Sequence, residues 1–126
     1  LFRSTGEPIE WVRVHMLPDY AYFDHSVHLN AGVGCVSCHG RVDQMEVIHQ
    51  VESLSMSWCL ECHRSPEKFI RPKEKVTELW WEPGGAVQKR NLKLLGNQLS
   101  PQEKMGLELI EKHNIHPRED CTACHR

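Results

Sequence analysis

The stretch FDHSVHLNAGVGCVSCHG, residues 23–40, places two histidines three residues apart just ahead of a CxxCH motif. Every cysteine of the 126-residue chain belongs to such a motif: CVSCH at 35–39, CLECH at 59–63 and CTACH at 121–125. This motif is typical of c-type haem attachment, in which both thiols bond to the macrocycle and the adjacent histidine binds the iron. A four-cysteine zinc site would leave two cysteines over, and a disulfide framework gives no reason for a histidine after every pair. The sequence therefore predicts three haem c groups.

The predicted haem-binding residues are Cys35, Cys38 and His39, Cys59, Cys62 and His63, and Cys121, Cys124 and His125. A chain of this length forms one domain, here residues 1–126, and it buries only a modest share of its surface. Three flat macrocycles would supply the apolar core that a polar chain of mean hydropathy −0.51 lacks. We therefore expect a small, mainly α fold with much irregular structure around a haem core.

The charge of the chain is distributed unevenly. Residues 1–63 carry three basic and eight acidic side chains, whereas residues 64–94 carry eight basic and four acidic ones. Proline and glycine in RSPEKFIRPKEK (64–75) and WWEPGGAV (80–87) indicate an irregular excursion over about 64–99, with a short helix in VQKRNLKLLG (87–96). This basic segment is either a docking face for an acidic partner or a solvated wrap around haem edges.

The clearest helix signal is SPQEKMGLELIEKH, residues 100–113. Ser100 is the expected N-cap, Pro101 suits the first helical position, and Glu103 completes a capping box. The pattern predicts a helix over 101–113. His113 shares a face of this helix with Met105 and can either point at a haem or lie at its rim.

Each six-coordinate haem iron needs a second axial ligand. The candidates outside the motifs are His15, His25, His28, His49, His113 and His116, followed by the methionines. Asp24 can cap a helical turn in which His25 and His28 share one face. Two histidines on one face cannot both serve one iron, so we expect them to serve two different irons; the alternative is a surface helix that happens to carry two histidines.

The stretch at 23–40 resembles the F-x-H-x-x-H…C-x-x-C-H signature of class III multihaem cytochromes c, which are small periplasmic tri- and tetrahaem electron carriers. The resemblance implies that His25 is the distal ligand of the haem on Cys35, Cys38 and His39. It implies that His28 serves the haem on Cys59, Cys62 and His63.

A closer resemblance covers about residues 8–72 and the final CTACHR. WVRVHMLPDYAYFDHSVHLNAGVGCVSCHGRVDQMEV and LSMSWCLECHRSPE are similar to the pentahaem cytochrome subunit of alternative complex III, a quinol-oxidising membrane complex of bacteria. That subunit carries two more CxxCH motifs and a membrane anchor ahead of this region. The chain is thus either its C-terminal three-haem part or a free-standing trihaem relative.

In the family's topology, the distal ligand of the last haem comes from just ahead of the second CxxCH. Met56 stands three residues before Cys59 and is our preferred ligand, with His49 and His116 as the alternatives. A haem with histidine and methionine ligands would have a higher potential than bis-histidine neighbours and would suit the electron exit. We interpret His15 as a hydrogen-bonding neighbour of a haem propionate or as packing.

These features predict outer-sphere electron transfer in an exported chain on the periplasmic side of the bacterial cytoplasmic membrane. The resemblance implies haem or iron–sulfur subunits of a membrane complex, or a soluble cytochrome c, as partners. We expect no nucleic-acid partner, and we expect membrane association only through segments or subunits outside these residues, because no apolar run reaches the length of a span. The rival functions are a multihaem reductase with one open haem and a zinc-binding interaction module.

Overall fold

The computed structural model describes residues 4, 6–83 and 99–125. Within these ranges the chain forms five α-helices and three 3₁₀ turns, joined by irregular segments. The helices are α1 (His25–Asn30), α2 (Val36–His39), α3 (Met56–Arg64), α4 (Pro101–His113) and α5 (Cys121–Cys124), and the 3₁₀ turns are Val42–Gln44, Pro66–Lys68 and Lys73–Lys75. The described ranges contain no β-strand, only isolated bridges, and no helix in them is long and apolar enough to cross a membrane. The predicted small, mainly α and largely irregular fold is confirmed.

The first helix begins where its capping residue predicts. The Asp24 side chain accepts a hydrogen bond from the backbone N–H of Ser26 at 2.8 Å and another from the Ser26 hydroxyl at 2.7 Å. These bonds satisfy a donor that the first turn of a helix otherwise leaves without a partner. They fix the start of α1, and therefore the direction in which His25 and His28 leave the backbone.

The longest helix of the described ranges, α4, has the predicted bounds and the predicted capping box. Ser100 accepts a bond from the Glu103 backbone N–H at 3.2 Å, and the Glu103 carboxylate accepts one from the Ser100 backbone N–H at 2.8 Å. The helix ends at Asn114, whose left-handed φ of 51° is a common helix stop. His113 in its last turn is exposed.

Helix α4 packs directly on the backbone of the basic segment. The Gln102 side-chain amide donates to the carbonyl oxygens of Glu67 at 3.0 Å and Ile70 at 2.7 Å. One turn further along, Gly106 is buried against the backbone of Glu67. A helix of thirteen residues is thereby attached to a 3₁₀ turn through backbone contacts rather than through interlocking large side chains.

The described part of the basic segment, residues 64–83, contains the 3₁₀ turns Pro66–Lys68 and Lys73–Lys75 and packs into the fold. Ile70, at 1% exposure, and Val76, at 5%, are the buried hydrophobic side chains of the described ranges. The backbone N–H of Arg71 donates to the carbonyl oxygen of Gly32 at 2.9 Å, and Cys35 N–H donates to Val76 at 3.0 Å. Residues 64–83 therefore pack against the start of the first CxxCH motif and hold its backbone through these hydrogen bonds. The short helix predicted at 87–96 lies outside the described residues.

We expect Gly106→Ala to destabilise the protein, although alanine is the better helix former by about 1 kcal/mol. A Cβ at this position would lie 2.6 Å from the Glu67 Cα and still closer to its carbonyl oxygen, so α4 would have to move away. Overpacking of this kind costs about 1–3 kcal/mol. Thermal unfolding of the haem-loaded protein would measure the effect. Glu108→Ala, on the exposed side of the same helix, is the control, and a Gly106→Ala protein as stable as wild type would contradict the packing argument.

Candidate functional site

The first CxxCH motif forms a single short helical turn. Cys35 precedes α2, and the backbone N–H of His39 donates to the Cys35 carbonyl oxygen at 2.9 Å, so the thiols and the imidazole project from one turn. The ring of His39 lies 6.3 Å from the ring of His25, centre to centre, and the two planes are within 11° of parallel. The structure thus brings His25 opposite the histidine of the motif that follows it.

The second motif lies within a regular helix. Cys59, Cys62 and His63 belong to α3, which Ser55 caps by accepting a bond from the Trp58 backbone N–H at 3.3 Å. The ring of His63 lies 6.1 Å from that of His28, centre to centre, at an interplanar angle of 42°. One turn of α1 therefore directs its two histidines to two different motifs.

Both separations match the spacing that an axially ligated iron requires. Metal–imidazole bonds are about 2.0 Å long, so two imidazoles on opposite sides of one metal ion have ring centres about 6 Å apart. A direct ring contact would be closer, as it is between Phe23 and His28, whose ring centres are 4.3 Å apart. The four remaining positions around such an iron belong to the macrocycle, so two protein ligands per site are enough. The residues present therefore fit c-type haem.

The hydrogen bonds of the rings leave the metal-binding nitrogens available. Nδ1 of His63 lies 2.6 Å from the carbonyl oxygen of Arg118, and Nδ1 of His28 lies 2.8 Å from that of Asp24. A carbonyl oxygen only accepts, so each Nδ1 carries the proton and donates. The unprotonated Nε2 is then the free ligand atom, the arrangement usual for metal-bound histidine.

The third motif is held by the segment that leads into α1. Ala21 and His125 form an antiparallel bridge, and the Tyr22 backbone N–H donates to the Cys124 carbonyl oxygen at 2.7 Å. Nδ1 of His125 lies 3.3 Å from the carbonyl oxygen of Tyr20. Nδ1 of His125 thus faces a backbone carbonyl oxygen, as Nδ1 of His63 does. Its Nε2 is again available to bind a metal.

A cleft of about 280 Å³ lies between the second and third motifs. Its walls include both thiols of the third motif, His125, and Cys59 and His63 of the second. Met56, the first residue of α3, also lines it and is 60% exposed. The remaining lining is mainly apolar, with Leu17, Pro18, Ala21, Leu54 and Leu60 among its members.

The two alternatives to Met56 lie elsewhere. Neither His49 nor His116 is among the residues that line this cleft. Nε2 of His116 lies 2.8 Å from the Asn114 side-chain oxygen, which makes that nitrogen a donor, not a free ligand atom. Nδ1 of His49 lies 3.2 Å from the carbonyl oxygen of Val47, which leaves its Nε2 available, so its position outside the cleft is what separates it from Met56. The surroundings of the third motif thus favour Met56.

His15 contacts a motif histidine directly. Its Nε2 lies 3.2 Å from Nδ1 of His39, and the two rings meet edge to face with centres 4.5 Å apart. Our sequence interpretation of His15, a propionate neighbour or packing, did not include this partner. His15 stands 24 residues before His39 and belongs to no motif, so no local sequence pattern indicates this contact.

All six cysteines lie in the described ranges, and none of them forms a disulfide there. Burial raises the pKa of Cys38, with Cys59 nearby as the next cause, and burial chiefly, then Cys38, raises the pKa of Cys62 to about 11. Burial also lowers the pKa of His39, to which neighbouring His15 and His25 contribute, and an uncharged imidazole is the form that binds metal. These pKa shifts indicate that Cys38, Cys62 and His39 are partly withdrawn from water. No group of three or more Cys, His, Asp or Glu side chains in the described ranges is arranged to hold a metal ion.

The sequence model of the family described as cytochrome c7 and related cytochrome c matches residues 21–126, which include all three motifs and both histidines of α1. A search of curated proteins found no match.

Proposed function

Since the chain belongs to the family of cytochrome c7 and related cytochromes c, we propose that it binds three haems covalently and conducts electrons between redox partners. Membership of this family implies c-type haem with iron and multihaem electron transfer. The observation that carries the proposal is the pairing of His25 with His39 and of His28 with His63, each at about the spacing that one iron requires, which defines two of the three sites. The third site rests on the third CxxCH motif, at 121–125.

In the proposed mechanism the motif histidines His39, His63 and His125 would hold the three haem irons, together with His25, His28 and Met56, and no site would be left open to a substrate. Haem supplies the one-electron couple, and the chain determines the potential through ligand identity, burial and hydrogen bonds to the ligands. His25 and His28 leave the same turn, so α1 holds the first two haem sites side by side. The cleft shared by Cys59 and Cys121 brings the second and third sites together in the same way.

A sixth ligand for the third haem completes this scheme. We assign it to Met56, which lines the same cleft as His125. A thioether ligand raises the potential of a haem relative to two imidazoles, so this haem would be the electron exit.

We further propose that the chain works on the periplasmic side of the membrane as part of a quinol-oxidising complex. The resemblance of residues 8–72 and of CTACHR to the pentahaem subunit of alternative complex III supports this assignment. Its partners would then be an iron–sulfur subunit upstream and a cytochrome c or terminal oxidase downstream. The alternative is a free-standing periplasmic trihaem carrier.

The haem content and ligation of the purified protein test the central proposal. We expect three haems per chain by quantitative haem assay and protein mass, and an electron paramagnetic resonance spectrum with low-spin ferric signals only. A high-spin ferric signal from one haem of the wild type would instead support a reductase with an open site. A colourless protein that contains zinc would support an interaction module.

Fractionation of the native host distinguishes a subunit of a membrane complex from a free-standing periplasmic carrier. A subunit of a membrane complex should remain with the membranes and elute, after detergent extraction, together with quinol-oxidising activity. A free-standing carrier should be released with the periplasmic contents by osmotic shock, without detergent. Release of the whole haem-bearing pool in this way would overturn the assignment to a complex.

Replacing Met56 with leucine should leave the third haem without its sixth ligand, because leucine keeps the volume but has no donor atom. We expect loss of the methionine-to-iron charge-transfer band and appearance of one high-spin haem per chain, while the other two remain low-spin. Optical and electron paramagnetic resonance spectra would measure both. Met105→Leu on α4 is the matched control. If His49→Ala or His116→Ala produced the high-spin haem while Met56→Leu did not, the assignment of Met56 would be wrong.

A further inference from the structure

The proximal ligand of the first haem has a hydrogen-bond partner unlike those of the other two. His63 and His125 direct Nδ1 at the backbone carbonyl oxygens of Arg118 and Tyr20. His39 directs Nδ1 at Nε2 of His15, a side-chain nitrogen. Among the three motif histidines, His39 is thus the one whose described ring partner is a side chain.

The direction of this hydrogen bond follows from the ligand role of His39. A neutral imidazole carries one proton, and a ring that binds iron through Nε2 carries that proton on Nδ1. His39 is therefore the donor, and Nε2 of His15 is the acceptor. His15 in turn carries its own proton on Nδ1.

Several contacts hold the backbone around His15 in place. The guanidinium of Arg13 donates to the carbonyl oxygens of His15 at 3.3 Å and Leu17 at 3.4 Å, so this side chain bridges the backbone of residues 13–17. The backbone N–H of Met16 donates to the side-chain oxygen of Gln50 at 3.0 Å, and the amide nitrogen of Gln50 donates to Glu52 at 2.8 Å. His15 is half-buried between these attachments, so its ring is presented to His39 by a fixed segment.

We propose that His15 is a positioning residue for His39 and that its acceptor nitrogen lowers the reduction potential of the first haem. The proposal rests on the proposed ligation of that haem by His39. An acceptor on the distant nitrogen of a ligand imidazole increases the electron density that the ring gives to the metal, and this favours the ferric state. An imidazole nitrogen is a stronger base than a peptide carbonyl oxygen, so the effect is larger at His39 than at His63 or His125. His15 would thus separate the potential of the first haem from that of the second, although both have two histidine ligands.

The test is a redox titration of the haem-loaded protein followed by electron paramagnetic resonance, in which each low-spin signal reports one haem. The signal of the first haem is identified as the one that His25→Ala removes. His15→Phe keeps a ring against His39 but removes the acceptor, and His15→Gln supplies an amide oxygen in its place. His113→Phe, at an exposed position on α4, is the matched control.

For His15→Phe we expect the ferric-to-ferrous equilibrium of the first haem to shift about tenfold towards ferrous, which is about 59 mV for one electron. The other two haems should keep their potentials, and His15→Gln should recover at least half of the shift. An unchanged first haem, or an equal shift of all three, would overturn the proposal. Failure of the proposed function is a separate outcome, because it would appear as missing or high-spin haems in the wild-type protein.

Discussion

Replacing His28 with alanine will make the haem attached at Cys59 and Cys62 high-spin and leave the haem at Cys35 and Cys38 low-spin. The expectation follows from the ring of His28, which lies 6.1 Å from that of His63, whereas His25 faces His39. The haem that changes is therefore the one whose first attachment residue, Cys59, lies 31 residues after His28, not the one whose motif follows directly. We expect one of the three haems to convert completely from low-spin to high-spin. Electron paramagnetic resonance of the ferric protein would measure this conversion.

His25→Ala is the reciprocal experiment and should remove the low-spin signal of the first haem only. Added imidazole should restore the low-spin signal in the His28 variant, which separates loss of a ligand from loss of the fold. His113→Ala should change neither signal. A His28→Ala protein in which the first haem became high-spin would reverse the assignment of the two histidines.

A chain that cannot attach haem will lose most of its structure. In the described ranges, the buried hydrophobic side chains are limited to Ile70 and Val76. Four of the five described helices have four to nine residues, and helices shorter than about 12–15 residues are marginal in water without tertiary packing. We expect replacement of all six cysteines by alanine to abolish cooperative thermal unfolding and to remove more than half of the far-ultraviolet helical signal.

Two comparisons isolate the role of the haems in this result. Dithionite reduction of the wild type changes the iron but leaves the macrocycles attached, so the helical signal should remain. A variant that lacks only Cys121 and Cys124 should lose part of the structure, chiefly around Tyr20 and the third motif. A cysteine-free chain that still melted cooperatively would show that the polypeptide has a sufficient core of its own.

Local rules were enough to predict those parts of the fold that depend on neighbouring residues. The capping box of Ser100 and Glu103 is complete within four residues, and the helix that it begins has the predicted bounds. The cap formed by Asp24 is equally local, and so is the common face of His25 and His28. The three motifs are visible in the sequence for the same reason, since covalent attachment and ligation require adjacent residues.

Contacts between distant segments could not be predicted in this way. The basic segment appeared from its charge and proline content to be an excursion, yet Ile70 and Val76 lie within it and are buried. Two apolar residues in an irregular segment have no periodicity that would indicate burial. His15 likewise meets His39 through a segment held by Gln50, and neither residue belongs to a pattern. The distal ligand assignments remain predictions.

The bridge between Ala21 and His125 has a consequence for the order of assembly. The ring of His125 and the carbonyl oxygen of Tyr20 are 105 residues apart in the chain, so their contact closes a very long loop. Closing long loops costs more entropy and slows folding, whereas the first two motifs lie within forty residues of α1. In the proposed three-haem protein, the first two haems would therefore acquire their ligands from a short stretch of the chain. The third gains its surroundings last, and a maturation intermediate should carry two six-coordinate haems.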